Sequence, residues 1–119
     1  RERVARLQVE LKALEITQLR VIDRVSKASD GKPDSGSSVL KIKGSEIYQE
    51  ATEMAKDVAG PLALPIWAKD LAQMSNEPEM TPEWAAPLAP TYLMSRAASI
   101  YGGSNEIQKN ILSKRVMGF

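Results

Sequence analysis

The sequence predicts an all-α fold, an antiparallel bundle of about four helices. Apolar residues recur at three- and four-residue spacing in several segments of the 119-residue chain, as they do on one face of an amphipathic helix. Glycine and proline stand between these segments, where they end helices. No segment reads as a strand. We therefore expect one helical domain over residues 1–119, with a proline-rich connection over residues 61–90 inside it.

Two helices are predicted before that connection. The first ends before Gly31, and the second ends at Gly60, with Ser37 or Ser38 as its N-cap. Gly44 lies inside the second helix at a cost of about 1 kcal/mol relative to alanine, which predicts close helix packing. The first helix has a wide apolar face, which predicts more than one packing neighbour. That face consists of Val4, Leu7, Leu11, Leu14, Val21 and Val25, and it is widened by Val9, Ile16 and Ile22.

The proline-rich connection holds six of the seven prolines and both tryptophans. Residues 66–74 predict a short helix. Trp67 and Trp84 are expected to plug one end of the bundle, because no polar cluster surrounds either ring. Two more helices are predicted, over residues 90–102 and 104–117. Three side chains of the last one are expected to face inward: Ile107, Ile111 and Val116.

The composition excludes several kinds of site. The chain has no cysteine and no histidine, which excludes disulfides and thiolate metal sites and removes the usual general base. We therefore expect no metal site, and any proton transfer would fall to Asp, Glu, Lys or Tyr. The net charge is +1, so the total gives no indication of a basic face for nucleic acid, and no nucleic-acid partner is expected. No apolar run approaches the roughly 20 residues that span a bilayer, so no membrane partner is expected.

The chain opens on Arg1-Glu2-Arg3, with no methionine and no capping residue ahead of an immediate helical pattern. We expect a piece of a longer polypeptide, with a trimmed terminus as the alternative. No signal peptide is visible, which favours a bacterial cytoplasm or a mitochondrial matrix.

A glycine pair, Gly102-Gly103, stands directly before the last helix, whose first turn begins with Ser104. Such a helix start offers free N–H groups and an unobstructed backbone to a phosphate, a carboxylate or the polar edge of a heterocycle. Gln108, one turn further on, adds a donor and an acceptor. The alternative is a tight corner that needs glycine for its geometry alone.

The segment from Ile100 to Phe119 resembles the closing signature of acyl-CoA dehydrogenases. It reads Ile-Tyr-Gly-Gly-Ser-Asn-Glu-Ile-Gln, followed by a basic helix that ends in Arg-Val-Met-Gly. Residues 37–41 and 55–60 also resemble that family's preceding helix. The resemblance covers essentially the whole chain in helix order.

This resemblance implies the helical C-terminal domain of a flavoprotein, with FAD between this domain, a β-domain and a neighbouring subunit. The enzyme would remove a proton from the α-carbon of an acyl-CoA while the flavin takes the β-hydride. It would be a homotetramer or homodimer, or a hetero-oligomer, with electron-transfer flavoprotein as a partner. The implied cofactor contacts are Ser104, Gln108, Glu106, Asn105 and Gly60, and the implied substrate contacts are Gly103 and Tyr101.

The chain departs from the family pattern at two places. Gly102 occupies the position where many members carry the catalytic glutamate, so no catalytic residue is expected in this chain. Pro61 replaces the second glycine of a pair at the flavin, and Asp57 replaces a glutamine before it. Three hypotheses follow: a domain of an acyl-CoA dehydrogenase with its base elsewhere, the base-less subunit of a hetero-oligomeric one, or a non-catalytic helical interaction module.

Overall fold

The structure is a computed structural model that describes residues 1–28, 34–64 and 81–118. These residues are helical and contain no strand, so the predicted all-α class is confirmed. The described residues form four α-helices, namely α1 (Glu2–Lys27), α2 (Gly36–Ala59), α3 (Leu88–Ser95) and α4 (Asn105–Leu112). Short 3-10 helices occupy Gly60–Ala63 and Arg96–Ser99, and a π-helical turn occupies Ser113–Met117. None of the described helices is long and apolar enough to cross a membrane.

The chain divides into two compact units. The first consists of residues 1–48 and 97–119, and the second consists of residues 49–96. Helix α2 contributes its first half to one unit and its second half to the other. Whether the chain acts as one domain stays a prediction.

In the first unit, a polar clasp joins the end of α1 to the start of α2. The Arg24 guanidinium meets both carboxylate oxygens of Asp34 at 2.8 and 3.0 Å. The Asp34 carboxylate also accepts the backbone N–H of Gly36 at 2.6 Å. The predicted N-cap at Ser37 or Ser38 is therefore wrong: Asp34 supplies the acceptor, and both serines lie inside the helix.

The apolar face of α1 is only partly covered within its unit. Val21 is buried, and Leu7 and Leu14 are half-buried. The other predicted members, and the three residues that widen the face, are exposed: Val4, Leu11 and Val25, then Val9, Ile16 and Ile22. Since these side chains are exposed, the predicted additional packing neighbour is not found among the described residues of this unit.

Gly44 lies opposite α1, but without steric pressure. A Cβ at this position would stand 4.0 Å from Leu14 Cδ2, which is an ordinary van der Waals contact. Gly36 differs, because its Cβ would stand 2.5 Å from Val21 Cγ2. The close packing predicted at Gly44 is found at Gly36 instead.

The second unit has a core of small side chains. Ala59, Ala63 and Ala85 are buried together with Leu88 against them. Trp84 is 58% exposed, so its predicted role as a plug is wrong. Its neighbour Ala85 is buried instead and packs with the other alanines. Trp67 and the predicted short helix over residues 66–74 lie outside the described residues.

The ends of α2 and α3 follow from proline and glycine. Helix α2 ends at Ala59, before Gly60 turns to φ +54°, as predicted. Pro90 lies in the first turn of α3, also as predicted. The α-helix ends at Ser95, however, and the 3-10 helix Arg96–Ser99 replaces the predicted continuation to residue 102.

Candidate functional site

The candidate site is the corner that precedes α4. Gly102 has φ +67° and Gly103 has φ +86°, both in the left-handed region that L-residues rarely adopt. A Cβ at Gly102 would meet no atom within 4 Å, whereas a Cβ at Gly103 would stand 2.8 Å from Gln108 Nε2. Geometry therefore explains the glycine at each position, and steric contact adds a second reason at Gly103 only.

Ser104 caps the helix that leaves the corner. Its backbone is extended, with φ −60° and ψ 157°, and its Oγ accepts the N–H of Ile107 at 3.5 Å. Its carbonyl oxygen accepts the N–H of Gln108 at 3.0 Å. The predicted helix start at Ser104 is confirmed, and α4 then continues through the π-helical turn to Gly118 at φ +78°.

The Glu106 carboxyl group already supplies a negative charge at this helix start. Its own backbone N–H, and then the Ser104 hydroxyl, hold the pKa of Glu106 below its usual range. The positive charges of Lys109 and Lys41 also lower that pKa, so the carboxylate has cations near it. The charge at the corner is therefore mixed, and its helix start suits any group with acceptor atoms, such as a phosphate, a carboxylate or the edge of a heterocycle.

Gln108 closes over the corner from the next turn of α4. Its Nε2 donates to the Gly102 carbonyl oxygen at 3.4 Å, and its side chain occupies the space beside Gly103. The structure therefore brings Gln108 together with both glycines and Ser104. Tyr101, on the other side of the pair, is 61% exposed.

Asn105 is connected to α2 rather than directed to open space. Its Oδ1 accepts Lys41 Nζ at 2.7 Å, and its Nδ2 lies 3.2 Å from Ser45 Oγ. Sequence reasoning assigned Asn105 to the cofactor and did not identify Lys41 or Ser45. The available signal was the four-residue spacing of Lys41 and Ser45, which places them on one face of α2. Nothing in the sequence indicated that their partner lay 60 or more residues away.

Gly60 belongs to the second unit, whereas the residues described above belong to the first. Its φ of +54° requires glycine, and a Cβ there would meet no atom within 4 Å. Asp57, one turn earlier, forms an ion pair with Lys56 at 3.1 Å. Across the described residues, no group of three or more carboxylate, histidine or cysteine side chains could hold a metal ion.

The fold and the site together define the class: a helical domain in which a glycine corner leads into a serine-capped α-helix. Residues 1–117 match the family model for the C-terminal domain of acyl-CoA dehydrogenases. The chain belongs to the acyl-CoA dehydrogenase family, and it represents the C-terminal domain of that family.

Two mycobacterial proteins are similar along nearly the whole chain. Acyl-CoA dehydrogenase IpdE1 of Mycolicibacterium smegmatis is 33% identical over 118 residues, which cover 99% of this chain and 25% of the relative. Acyl-CoA dehydrogenase IpdE1 of Mycobacterium tuberculosis is 31% identical over 120 residues, which cover 99% and 26%. The chain thus spans about a quarter of the length of these relatives. No solved structure matches it significantly.

Proposed function

We propose that this chain is the flavin-contacting C-terminal domain of an FAD-dependent enzyme that dehydrogenates an acyl-CoA thioester between its α- and β-carbons. The observation that carries the proposal is the family match over residues 1–117, together with the closing motif at residues 100–119. We further propose a homotetramer or homodimer, with electron-transfer flavoprotein as the electron acceptor.

The corner before α4 fits a flavin on two physical grounds. The space beside Gly102 is open, so a planar ring could approach the backbone. The Ser104 Oγ takes an N–H from Ile107, which leaves its hydroxyl hydrogen for an acceptor on the ligand or on Glu106. Ser104 and Gln108 would hold the cofactor in this proposal.

Bound FAD would supply the hydride acceptor for the β-carbon. The residues of this chain would position the reactants. Ser104 and Gln108 would orient the flavin, and Gly103, with Tyr101 beside it, would line the place of the thioester. Gly102 has no side chain and cannot remove the α-proton. The base must therefore come from another part of the full-length enzyme or from another subunit.

The test is the flavin content and absorption spectrum of the full-length protein. We expect a flavin band that is bleached when acyl-CoA is added. Ser104→Ala and Gln108→Ala should each retain less flavin, because each loses a hydrogen-bonding group worth about 1 kcal/mol. Ser113→Ala and Gln18→Ala are matched controls on residues outside the corner.

The outcomes separate the hypotheses. A band that no acyl-CoA bleaches would point to a base-less subunit. A protein without flavin, even after FAD is added, would favour the non-catalytic helical module. Unchanged flavin content in both corner variants would remove Ser104 and Gln108 from the site.

A further inference from the structure

We propose that Asn105 is a positioning residue: its side-chain amide fastens the first turn of α4 to α2 and thereby fixes the direction of Ser104 and Gln108. The inference rests on the proposed function, because these two side chains are the proposed flavin contacts. We call the cluster of Asn105, Lys41 and Ser45 the amide clasp.

The geometry of the clasp determines which way each hydrogen bond runs. Lys41 Nζ can only donate, so the Asn105 atom that it meets at 2.7 Å must be the carbonyl oxygen. The amide nitrogen of Asn105 then lies toward Ser45 Oγ at 3.2 Å.

Ser45 fits this arrangement because its single hydroxyl hydrogen has a better acceptor elsewhere. Its Oγ lies 2.8 Å from the Ile42 carbonyl oxygen but 3.3 Å from Asn105 Oδ1. The shorter contact takes the hydrogen, and the hydroxyl oxygen remains to accept from the amide. Both the oxygen and the nitrogen of the Asn105 amide therefore have a hydrogen-bond partner. A side chain at this position must offer an acceptor to Lys41 and a donor to Ser45 to keep both bonds.

The position of Asn105 along the chain connects the clasp to the site. It is the first residue of α4 and follows the capping Ser104 directly. The glycine pair before Ser104 has no side chain that could hold it in place. Among the contacts described for the first turn of α4, the amide clasp is the side-chain connection to another helix. The open corner thus depends on the clasp for its orientation.

Burial supports a defined geometry for the clasp. Ser45 is buried, and Lys41 and Asn105 are both half-buried. Hydrogen bonds that are partly shielded from water are stronger than exposed ones, and the one to Lys41 is charge-assisted. The exposed pair of Lys12 with Glu15 is charge-assisted as well, but it lacks this shielding from water.

The experiment uses the full-length protein and four variants: Asn105→Ala, Lys41→Met, the double variant of these two, and Asn105→Asp. Asn110→Ala and Lys109→Met are matched controls, since both residues are exposed on the same helix. Two quantities are measured in each variant. Hydrogen–deuterium exchange of residues 105–112 is followed without flavin, and the Kd for added FAD is determined by titration.

We expect Asn105→Ala to speed exchange over residues 105–112 and to raise the Kd for FAD, each about tenfold, while the overall unfolding midpoint changes little. The double variant of Asn105→Ala with Lys41→Met should add little to the single one, because both break the same contact. Asn105→Asp should give an exchange rate and a Kd between those of Asn105→Ala and the unchanged protein, since it keeps the acceptor for Lys41 but loses the donor to Ser45. Both controls should behave as the unchanged protein.

Two results would overturn the proposal. Exchange that stays slow over residues 105–112 in Asn105→Ala would show that the clasp does not hold the helix start. Faster exchange with an unchanged Kd for FAD would reduce the clasp to a structural contact. If the unchanged protein binds no FAD, the proposed function fails on its own, and the exchange data still decide whether Asn105 fastens α4.

Discussion

At Gly103, both the backbone conformation and a neighbouring side chain require that the residue has no Cβ atom. Its backbone at φ +86° is strained for any residue with a Cβ, and the Gln108 amide fills the space where that Cβ would stand. Gly102 shares the first constraint and lacks the second, because its Cβ would meet open space. The two neighbours are therefore not equivalent, although the sequence presents them as a uniform pair.

Alanine at the two positions should separate backbone strain from steric contact. Gly102→Ala should cost about 1–2 kcal/mol of unfolding free energy, the penalty of a left-handed L-residue. Gly103→Ala should cost more and should also displace the Gln108 side chain. Gly102→Asn should cost least, because asparagine tolerates this region. Urea unfolding followed by circular dichroism measures the order, and an equal cost at both positions would contradict it.

At the scale of elements, α2 carries two glycines that work differently. Gly36 is buried at the first turn, where a Cβ would collide with Val21 of α1 and with the Arg24–Asp34 pair. Gly44 lies in the middle of the helix, where a methyl group would fit against Leu14. Propensity alone would assign both the same penalty relative to alanine.

Opposite signs are therefore expected from the same substitution in one helix. Gly44→Ala should raise the unfolding free energy by up to about 1 kcal/mol, since the space is present and the helix gains propensity. Gly36→Ala should lower it by about 1–3 kcal/mol through overpacking. Thermal unfolding of the two variants side by side provides the comparison. A lower unfolding free energy in Gly44→Ala would show that the helix face around Gly44 is packed more closely than the described residues indicate.

The Arg24–Asp34 ion pair, which joins α1 to α2, should stabilise the chain less in acid. The Arg24 side chain, and then the Gly36 N–H, hold the pKa of Asp34 below its usual value of 3.8. Because the folded pKa is lower than the unfolded one, the contribution of Asp34 is fully present above the unfolded value. It is lost as the pH falls below about 4 and through the folded pKa.

Asp34→Asn should therefore flatten the acid limb of a stability–pH curve below about pH 4. Arg24→Gln should flatten it as well, by removing the main cause of the lowered pKa. The measurement is the urea midpoint at a series of pH values. An Asp34→Asn curve that falls as steeply as that of the unchanged chain would assign the acid sensitivity to other carboxylates.

On the scale of the whole molecule, the sequence predicts class better than burial. Apolar spacing identified the helices, because a 3.6-residue period depends on the backbone alone. The same spacing shows which face of a helix is apolar, but it does not show which residues cover that face. Ile107 and Val116 were predicted to face inward, yet they are 55% and 69% exposed. The prediction was wrong for both, and Ile111 is half-buried.

The candidate site divides in the same way. Ser104 as a cap, and the glycines as a corner, could be predicted because each depends on its neighbours in sequence. The amide clasp could not, since its partners come from different helices. The assignments to cofactor and substrate stay predictions for all seven residues: Ser104, Asn105, Glu106, Gln108, Gly60, Gly103 and Tyr101.

The 119-residue chain by itself should not dehydrogenate an acyl-CoA. Gly102 supplies no base, and the chain spans about a quarter of its relatives, so the other contacts to cofactor and substrate would come from elsewhere. Reduction of a dye acceptor with FAD and acyl-CoA present is the measurement, and the full-length protein is the control. Turnover by the chain alone would contradict both the proposed role of residue 102 and the need for a partner domain.

The amide clasp has a polarity that its distances alone do not express. Lys41 donates to Asn105, Asn105 donates to Ser45, and Ser45 donates to the Ile42 carbonyl, so every link runs the same way. Such a series is a small aligned dipole whose sense is set at one end, by the fixed charge of the lysine. An acidic residue at position 41 would require the amide to turn over and the serine to release its carbonyl. The sign of one charge on α2 thus determines the orientation of an amide on the helix that leaves the glycine corner.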